Sequence, residues 1–336
     1  MEEIQNESLP PQVSIADPHA AKKAFSRIGF GILIMLGVSV LVQLLFEVLF
    51  SIFFPDLMYH PWGNWLVTFV PLYLIGIPAS YLFLRTLPAT ILPRISMKFS
   101  HLLLVVLISV CMMYAGNLAG ILVTNLVQQI FSLPASNPVE SFTAQTEVLP
   151  RIVFVVLLGP VLEELAFRKF LIDRMANYGE FLAVLVSSLI FGLFHGNFSQ
   201  LFYAFALGMV FGYIYLRTGK LRYSIFLHCF INFFGGVIGP ELIEQIPPEL
   251  LEGTNIEALV NLDTLAALAA LSGYSLTMMA AALAGLVILC VNRKKIIWKP
   301  APLELPKAQQ YKIAFVNFGM IALGLTCLGL IIFRLF

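Results

Sequence analysis

Six residues that could carry out chemistry lie within stretches of sequence that are otherwise apolar. Two adjacent carboxylates and an arginine come first, two histidines follow in separate apolar segments, and an asparagine stands four residues after the second histidine. The six are Glu163, Glu164, Arg168, His195, His228 and Asn232. A carboxylate at the centre of a membrane-spanning helix costs about 2.5 to 3.5 kcal/mol on insertion scales. Such residues therefore indicate a polar site inside the protein.

The residue types predict hydrolysis of an amide bond. A carboxylate and an imidazole that meet at one water molecule could remove its proton and make it a nucleophile. A second imidazole, with a carboxamide one helical turn later, could donate hydrogen bonds to the oxyanion of a tetrahedral intermediate. The same residues also allow a Zn²⁺ site with Glu163, His195 and His228 as ligands and water as the fourth. Because asparagine is a poor zinc ligand, a site that needs no cofactor is favoured.

The spacing within the first group separates the two glutamates. Glu164 and Arg168 are four residues apart, so they share one face of a helix and can form an ion pair. Glu163 is rotated by about 100° from its neighbour. The spacing therefore predicts that Glu164 is neutralised and that Glu163 is left free.

Composition indicates an all-α, polytopic membrane protein. Of 336 residues, 59% are hydrophobic and 12% are charged, and the mean hydropathy is +0.90. A soluble domain has about twice this fraction of charged residues and lacks repeated apolar runs of about twenty residues. The formal net charge of +1 gives no indication of a polyanionic partner, so we expect no nucleic acid to bind.

Apolar runs predict a bundle of about nine transmembrane helices. Residues 1–27 are polar and are expected to form a flexible cytoplasmic tail. Residues 28–336 are expected to form the transmembrane bundle, with its catalytic core at about residues 150–238. The predicted spans are 28–54, 62–84, 100–131, 150–170, 180–195, 201–216, 221–237, 265–291 and 313–333.

Lysine and arginine are concentrated before the first span and after the second, fourth, sixth and eighth. Basic residues flanking a span are retained on the cytoplasmic side, so the N-terminus is predicted to be cytoplasmic. His195 then falls near the outer end of the fifth span, above Glu163. We therefore expect that span to start deep in the membrane, or residues 195–197 to turn inside the bundle, which is permitted where backbone lines a wet cavity.

Three short motifs resemble those of the CAAX-protease and bacteriocin-processing (CPBP or ABI) family, which includes the type II CAAX prenyl endopeptidases. The motifs are Glu163-Glu164-xxx-Arg168, Phe191-xxx-His195 and His228-xxx-Asn232. They occur in order on three apolar segments and cover residues 163–232.

The resemblance implies a role for each motif. Glu163 and His195 would activate water, while His228 and Asn232 would lie on the oxyanion side. The second glutamate and the arginine of the first motif would form a supporting ion pair. Members of the family are commonly described as metalloproteases, although a glutamate mechanism without metal has been proposed for the prenyl endopeptidase branch. The resemblance also implies a bacterial plasma membrane as the location.

The function predicted from these observations is that of an intramembrane endopeptidase. Its partners would be the lipid bilayer and a membrane-associated protein or peptide substrate, either of CAAX type or a bacteriocin or pheromone precursor. The sequence contains no HExxH, GxSxG or GxGD motif, which excludes several other classes of protease. Two alternatives stay open: a non-catalytic bacteriocin immunity protein, and a proton-coupled or ion-coupled transporter.

Overall fold

The chain folds into an all-α bundle. The computed structural model describes residues 14–132, 147–251 and 261–335. In chain order the main helices are α1 (Pro18–Phe53), α2 (Trp62–Leu84), α3 (Phe99–Phe131), α4 (148–175), α5 (Glu180–Phe194), α6 (Phe198–Thr218), α7 (Leu221–Glu244), α8 (Leu262–Lys295) and α9 (Phe318–Phe333). Short helices lie at Pro55–Tyr59, Pro248–Leu251 and Gln310–Phe315, and a 3₁₀ turn at Ala176–Tyr178. Two-residue strands, Ser14–Ile15 and Leu303–Glu304, pair in parallel.

Six helices in the described ranges are long and apolar enough to cross a membrane. They are α1, α2, α3, α6, α7 and α8. Helices α5 and α9 are apolar but shorter, with 15 and 16 residues. The protein is therefore a multi-pass membrane protein, but the predicted count of nine spans is not confirmed.

Helix α1 begins earlier than the sequence predicted. The expected start was residue 28, but the helix starts at Pro18, and Asp17 caps it by accepting hydrogen bonds from the backbone N–H groups of His19 and Ala20. Phe25 is fully buried in the main core of the bundle. The second half of the predicted tail is thus mainly helical, and residues 1–13 lie outside the described residues.

Helix α4 alternates between α-helical and π-helical geometry. Its segments are Val148–Arg151 (α), Ile152–Leu158 (π), Gly159–Glu164 (α), Leu165–Ile172 (π) and Asp173–Met175 (α). π-Helical turns are rare and occur frequently at functional sites. Both glutamates lie at the end of the central α-helical segment, directly before the second π segment.

Helices from several parts of the chain pack against α4. Helix α5 packs against its second π segment, α7 packs against its first half, and the C-terminal part of α2 also contacts it. Helix α6 packs on α5 at close range: a Cβ atom at Gly208 would lie 2.9 Å from the Cβ of Ser188. This packing brings the predicted site residues of α4, α5 and α7 to one place in the bundle.

Candidate active site

The predicted ion pair between Glu164 and Arg168 is present and fully buried. Arg168 Nε lies 3.0 Å from Glu164 Oε2, and Arg168 Nη2 lies 3.2 Å from Glu164 Oε1. Neither side chain has any exposed surface. Two parallel N–H···O bonds of this kind fix the orientation of both groups.

The guanidinium of Arg168 has two further neighbours on α5. Its Nη1 donates to Ser187 Oγ at 3.3 Å, and the Ser187 hydroxyl in turn donates to the carbonyl of Phe167 at 2.6 Å. Its central carbon also lies 4.7 Å from the ring centroid of Phe191. Ser187 therefore joins the ion pair to the neighbouring helix.

His228 of α7 faces both glutamates and is hydrogen-bonded to one of them. Its Nδ1 lies 3.1 Å from Glu164 Oε1, and its Nε2 lies 3.7 Å from Glu163 Oε2. The first distance is a hydrogen bond, and the second leaves a gap between the two groups. Because Glu164 is an ionised acceptor paired with Arg168, the hydrogen of this bond belongs to Nδ1 of the imidazole. Nε2 can then donate a hydrogen bond only when His228 is in the imidazolium form.

Glu163 is not free, contrary to the prediction from spacing. The hydroxyl of Tyr73 on α2 donates a hydrogen bond to its Oε1. Its other oxygen faces His228 Nε2. The side chain is 13% exposed, whereas that of Glu164 is completely buried. The carboxylate thus lies between α2 and α7 and remains the more accessible of the two.

His195 lies where α5 ends and the chain reverses. The backbone N–H groups of His195 and Gly196 donate hydrogen bonds that close the last turn of α5. Gly196 then has a φ of 65°, in the left-handed region that favours glycine. The side chain of Asn197 caps α6 by accepting a hydrogen bond from the backbone N–H of Gln200. Arg334, just after α9, donates to the carbonyl of His195 at 3.1 Å. The chain therefore turns at residues 195–197, which is one of the two arrangements that the sequence predicted.

The imidazole of His195 is oriented by its own helix. Its Nδ1 lies 2.8 Å from the carbonyl of Phe191, which can only accept, so Nδ1 carries the hydrogen. In the neutral ring Nε2 is then a hydrogen-bond acceptor. The Phe191 ring contacts both histidines edge-on, with centroids 5.0 Å from His195 and 5.7 Å from His228. Phe191 thus packs between the two imidazoles.

Asn232 contacts the backbone of α4. Its Nδ2 donates to the carbonyl of Val155 at 2.9 Å. In the π segment, the N–H of Gly159 is bonded to the carbonyl of Phe154, five residues earlier. The corresponding partner of Val155 would be Pro160, which has no N–H. Asn232 supplies the missing donor, and because an amide nitrogen carries two hydrogens, one N–H is not used by this bond.

Replacing Asn232 with alanine is expected to lower the free energy of unfolding by about 1 to 3 kcal/mol, because the Val155 carbonyl would lose its donor. Thermal unfolding of the purified protein would measure the loss. A matched control is Asn292→Ala, since the amide of Asn292 donates to the carbonyl of Ile288 within α8. Substituting Pro160→Ala restores a backbone N–H, so Asn232→Ala should then cost less. An equal cost in both backgrounds would contradict this explanation.

The zinc alternative gains no support from the described residues. In the described part of the chain, no group of three or more His, Cys, Asp or Glu side chains is arranged to hold a metal ion. Both histidines direct Nδ1 to a protein oxygen and leave Nε2 available, an arrangement that metal-bound histidines also adopt. The expectation that no cofactor is required therefore stays a prediction, as does the zinc alternative.

The segment that contains these motifs matches a known family. Residues 145–234 match the model of the family described as type II CAAX prenyl endopeptidase, Rce1-like. This part of the chain carries an Rce1-like domain. All six predicted site residues fall within it, whereas Tyr73 lies outside it.

Two bacterial relatives are similar over part of the chain. One, named membrane peptidase YdiL, from Bacillus subtilis (strain 168), is 37% identical over 79 residues, which are 23% of this chain and 32% of the relative. The other, the membrane-embedded CAAX protease MroQ of Staphylococcus aureus (strain USA300), is 36% identical over 104 residues, which are 28% of this chain and 42% of the relative. The similarity thus spans less than half of each relative. No solved structure matches.

Proposed function

We propose that the protein is an intramembrane endopeptidase that hydrolyses a peptide bond of a membrane-associated protein or peptide. The observation that carries this proposal is the position of His228, which contacts the structural carboxylate Glu164 on one side and faces the more accessible Glu163 on the other. The Rce1-like match over the same residues supports the same class of reaction.

Water activation is assigned to Glu163 and His195. Glu163 takes a proton from a water molecule, and the neutral Nε2 of His195 accepts a hydrogen bond from the same water. The hydroxide oxygen then forms a bond with the carbonyl carbon of the substrate, and the carbonyl electron pair moves to its oxygen. When the intermediate collapses, the C–N bond breaks and the proton held by Glu163 passes to the leaving amine.

Stabilisation of the oxyanion is assigned to His228 and Asn232. The imidazolium form of His228 donates from Nε2, and Asn232 donates through the N–H that Val155 does not use. Glu164 keeps the His228 ring in place through Nδ1, and Arg168 balances the charge of Glu164. Two carboxylates, one guanidinium and one imidazolium together carry no net charge, which suits a site enclosed by apolar helices.

The substrate class is proposed from the family. The matched model describes CAAX prenyl endopeptidases, and one relative is named a CAAX protease, so a peptide with a prenylated cysteine is the first candidate. A bacteriocin or pheromone precursor is the alternative. Either would present its peptide bond at the membrane, next to helices that contact lipid.

The protein reconstituted in lipid nanodiscs is expected to cleave an internally quenched peptide that ends in a farnesylated cysteine followed by three residues. The same peptide without the farnesyl group is the matched control, and product masses locate the cleaved bond. We expect cleavage of the farnesylated peptide directly after the cysteine, at a rate at least tenfold above that of the control. Equal cleavage of both peptides would contradict a prenylated substrate, and cleavage of neither would contradict a CAAX-type activity.

The two alternatives predict other behaviour of the same residues. A proton or cation relay needs a carboxylate that can release its partners, yet Glu164 is held by both Arg168 and His228. An immunity protein would keep its protective phenotype after Glu163→Gln, whereas a peptidase would lose activity.

A further inference from the structure

Tyr73 is a polar residue at the site that lies outside the Rce1-like domain. It belongs to α2, and its hydroxyl donates a hydrogen bond to Oε1 of Glu163. No spacing rule within one helix predicts this contact, because 90 residues separate the two partners.

The local structure of α2 brings Tyr73 to this position. The helix has π geometry at Val70–Gly76 and returns to α geometry at Ile77–Leu84. Proline stands near the start of each of these segments, at positions 71 and 78, where its missing N–H breaks the regular hydrogen-bond pattern. Tyr73 therefore lies in a π segment of α2, and Glu163 lies in the α-helical segment between the two π segments of α4.

Aromatic packing holds the tyrosine ring independently of its hydroxyl. The ring stacks on Phe69, with centroids 4.4 Å apart and an interplanar angle of 28°. Phe69 in turn contacts Phe154 of α4 at 4.9 Å, and Phe154 stacks on Trp65 at 5.2 Å. This aromatic cluster connects α2 to α4, so the ring would remain in place if the hydroxyl were removed.

We propose that Tyr73 is a positioning residue for the water-activating carboxylate, an inference that rests on the proposed peptidase function. Oε1 of Glu163 accepts the Tyr73 hydroxyl, while Oε2 faces His228 Nε2 across 3.7 Å, so the hydrogen bond from Tyr73 is the contact that orients the carboxylate. Each carboxylate oxygen has two acceptor positions, and one remains on Oε1 for the proton of water. Helix α2 is therefore part of the catalytic site, and residues 145–234 alone do not complete it.

The Tyr73→Phe variant tests this role with the farnesylated quenched peptide as the probe. The phenylalanine ring keeps the stack with Phe69, and only the hydroxyl is lost. Since small errors in the placement of a catalytic group reduce rates strongly, we expect kcat to fall about 10- to 100-fold. KM should change less than twofold, because Tyr73 acts through Glu163.

Tyr274→Phe is the matched control. The Tyr274 hydroxyl on α8 donates to the carbonyl of Phe234 on α7 at 2.8 Å, so this variant also removes one hydrogen bond between helices. A purely structural role for Tyr73 predicts the same result for both variants: a small loss of thermal stability and an unchanged kcat. A kcat for Tyr73→Phe within twofold of wild type would overturn the proposal.

A double-mutant cycle of thermal unfolding between Tyr73→Phe and Glu163→Leu tests the contact without any substrate. We expect Tyr73→Phe to lower the melting temperature in the wild-type background and not in the Glu163→Leu background. Additive effects would overturn the contact itself. If Tyr73 and Glu163 are coupled but the wild-type protein does not cleave the farnesylated peptide, the CAAX-type activity fails, and the role of Tyr73 in that activity fails with it. If the two substitutions are coupled, the wild type is active and Tyr73→Phe leaves kcat unchanged, only the positioning role of Tyr73 is overturned.

Discussion

Glu163→Gln is expected to lower kcat for a membrane-associated peptide by about 10²- to 10⁴-fold, the usual contribution of a general base. Glutamine has nearly the same shape and can still accept the Tyr73 hydroxyl, but it cannot take a proton from water. The ion pair between Glu164 and Arg168 remains intact, so we expect the variant to fold. Turnover of the farnesylated peptide in nanodiscs, together with the melting temperature, measures both effects.

The matched control for this variant is Glu47→Gln. Glu47 is a partly buried glutamate of α1 that accepts a hydrogen bond from Gln43 at 3.0 Å. It should keep wild-type turnover. Full activity of Glu163→Gln would contradict the assignment of Glu163 as the base.

Arg168→Ala is expected to have the largest effect on stability. The substitution leaves Glu164 as a buried charge without its main partner, and removing one member of a buried pair costs about 3 to 5 kcal/mol. It also removes the hydrogen bond to Ser187 and the contact with the Phe191 ring. We expect a large loss of folded protein and of activity, measured by thermal unfolding in detergent and by the amount of protein in the membrane.

Two further variants isolate the contribution of the charge. Arg222→Ala removes an exposed arginine that contacts Tyr223 and should change stability by less than about 0.5 kcal/mol. The double variant Glu164→Leu/Arg168→Leu removes both charges and should recover much of the stability. It should stay inactive, because His228 loses the acceptor of its Nδ1 hydrogen. A stable and active Arg168→Ala protein would contradict the role of the ion pair.

Spacing within one helix predicted part of the site correctly. Glu164 and Arg168 pair as their separation of four residues requires. The chain turns at residues 195–197, one of the two arrangements expected from the depth that His195 needs. The ion-pair prediction succeeded because it depends on local helix geometry that the sequence states directly.

Contacts between helices could not be predicted in the same way. Glu163 was expected to be free, yet Tyr73 reaches it from a helix far away in sequence. Its only sequence signal was a tyrosine between two prolines in an apolar span, which does not identify a partner. The contact of Asn232 with Val155 depends on a π segment that ends at Gly159, and hydrophobic periodicity does not reveal such a segment.

The positions of the helices were predicted better than their ends. Apolar runs located most of the helices, and α3 begins at Phe99 and ends at Phe131, close to prediction. The predicted start of α1 was wrong, because the polar residues after Asp17 were assigned to a flexible tail. The helix in fact begins at Pro18, where Asp17 caps it, and its first turns are anchored by the buried Phe25. Amphipathic turns at the ends of membrane helices lack the continuous apolarity that marks the span itself.

The central claim is that Glu163 activates water to cleave a peptide bond at the membrane. Its most direct test compares the protein and peptide termini in host membranes that carry wild type or Glu163→Gln at matched abundance. We predict new termini with wild type that disappear in the variant and persist in Glu47→Gln. Identical termini in all three membranes, under growth conditions in which the folded protein is present, would contradict the claim.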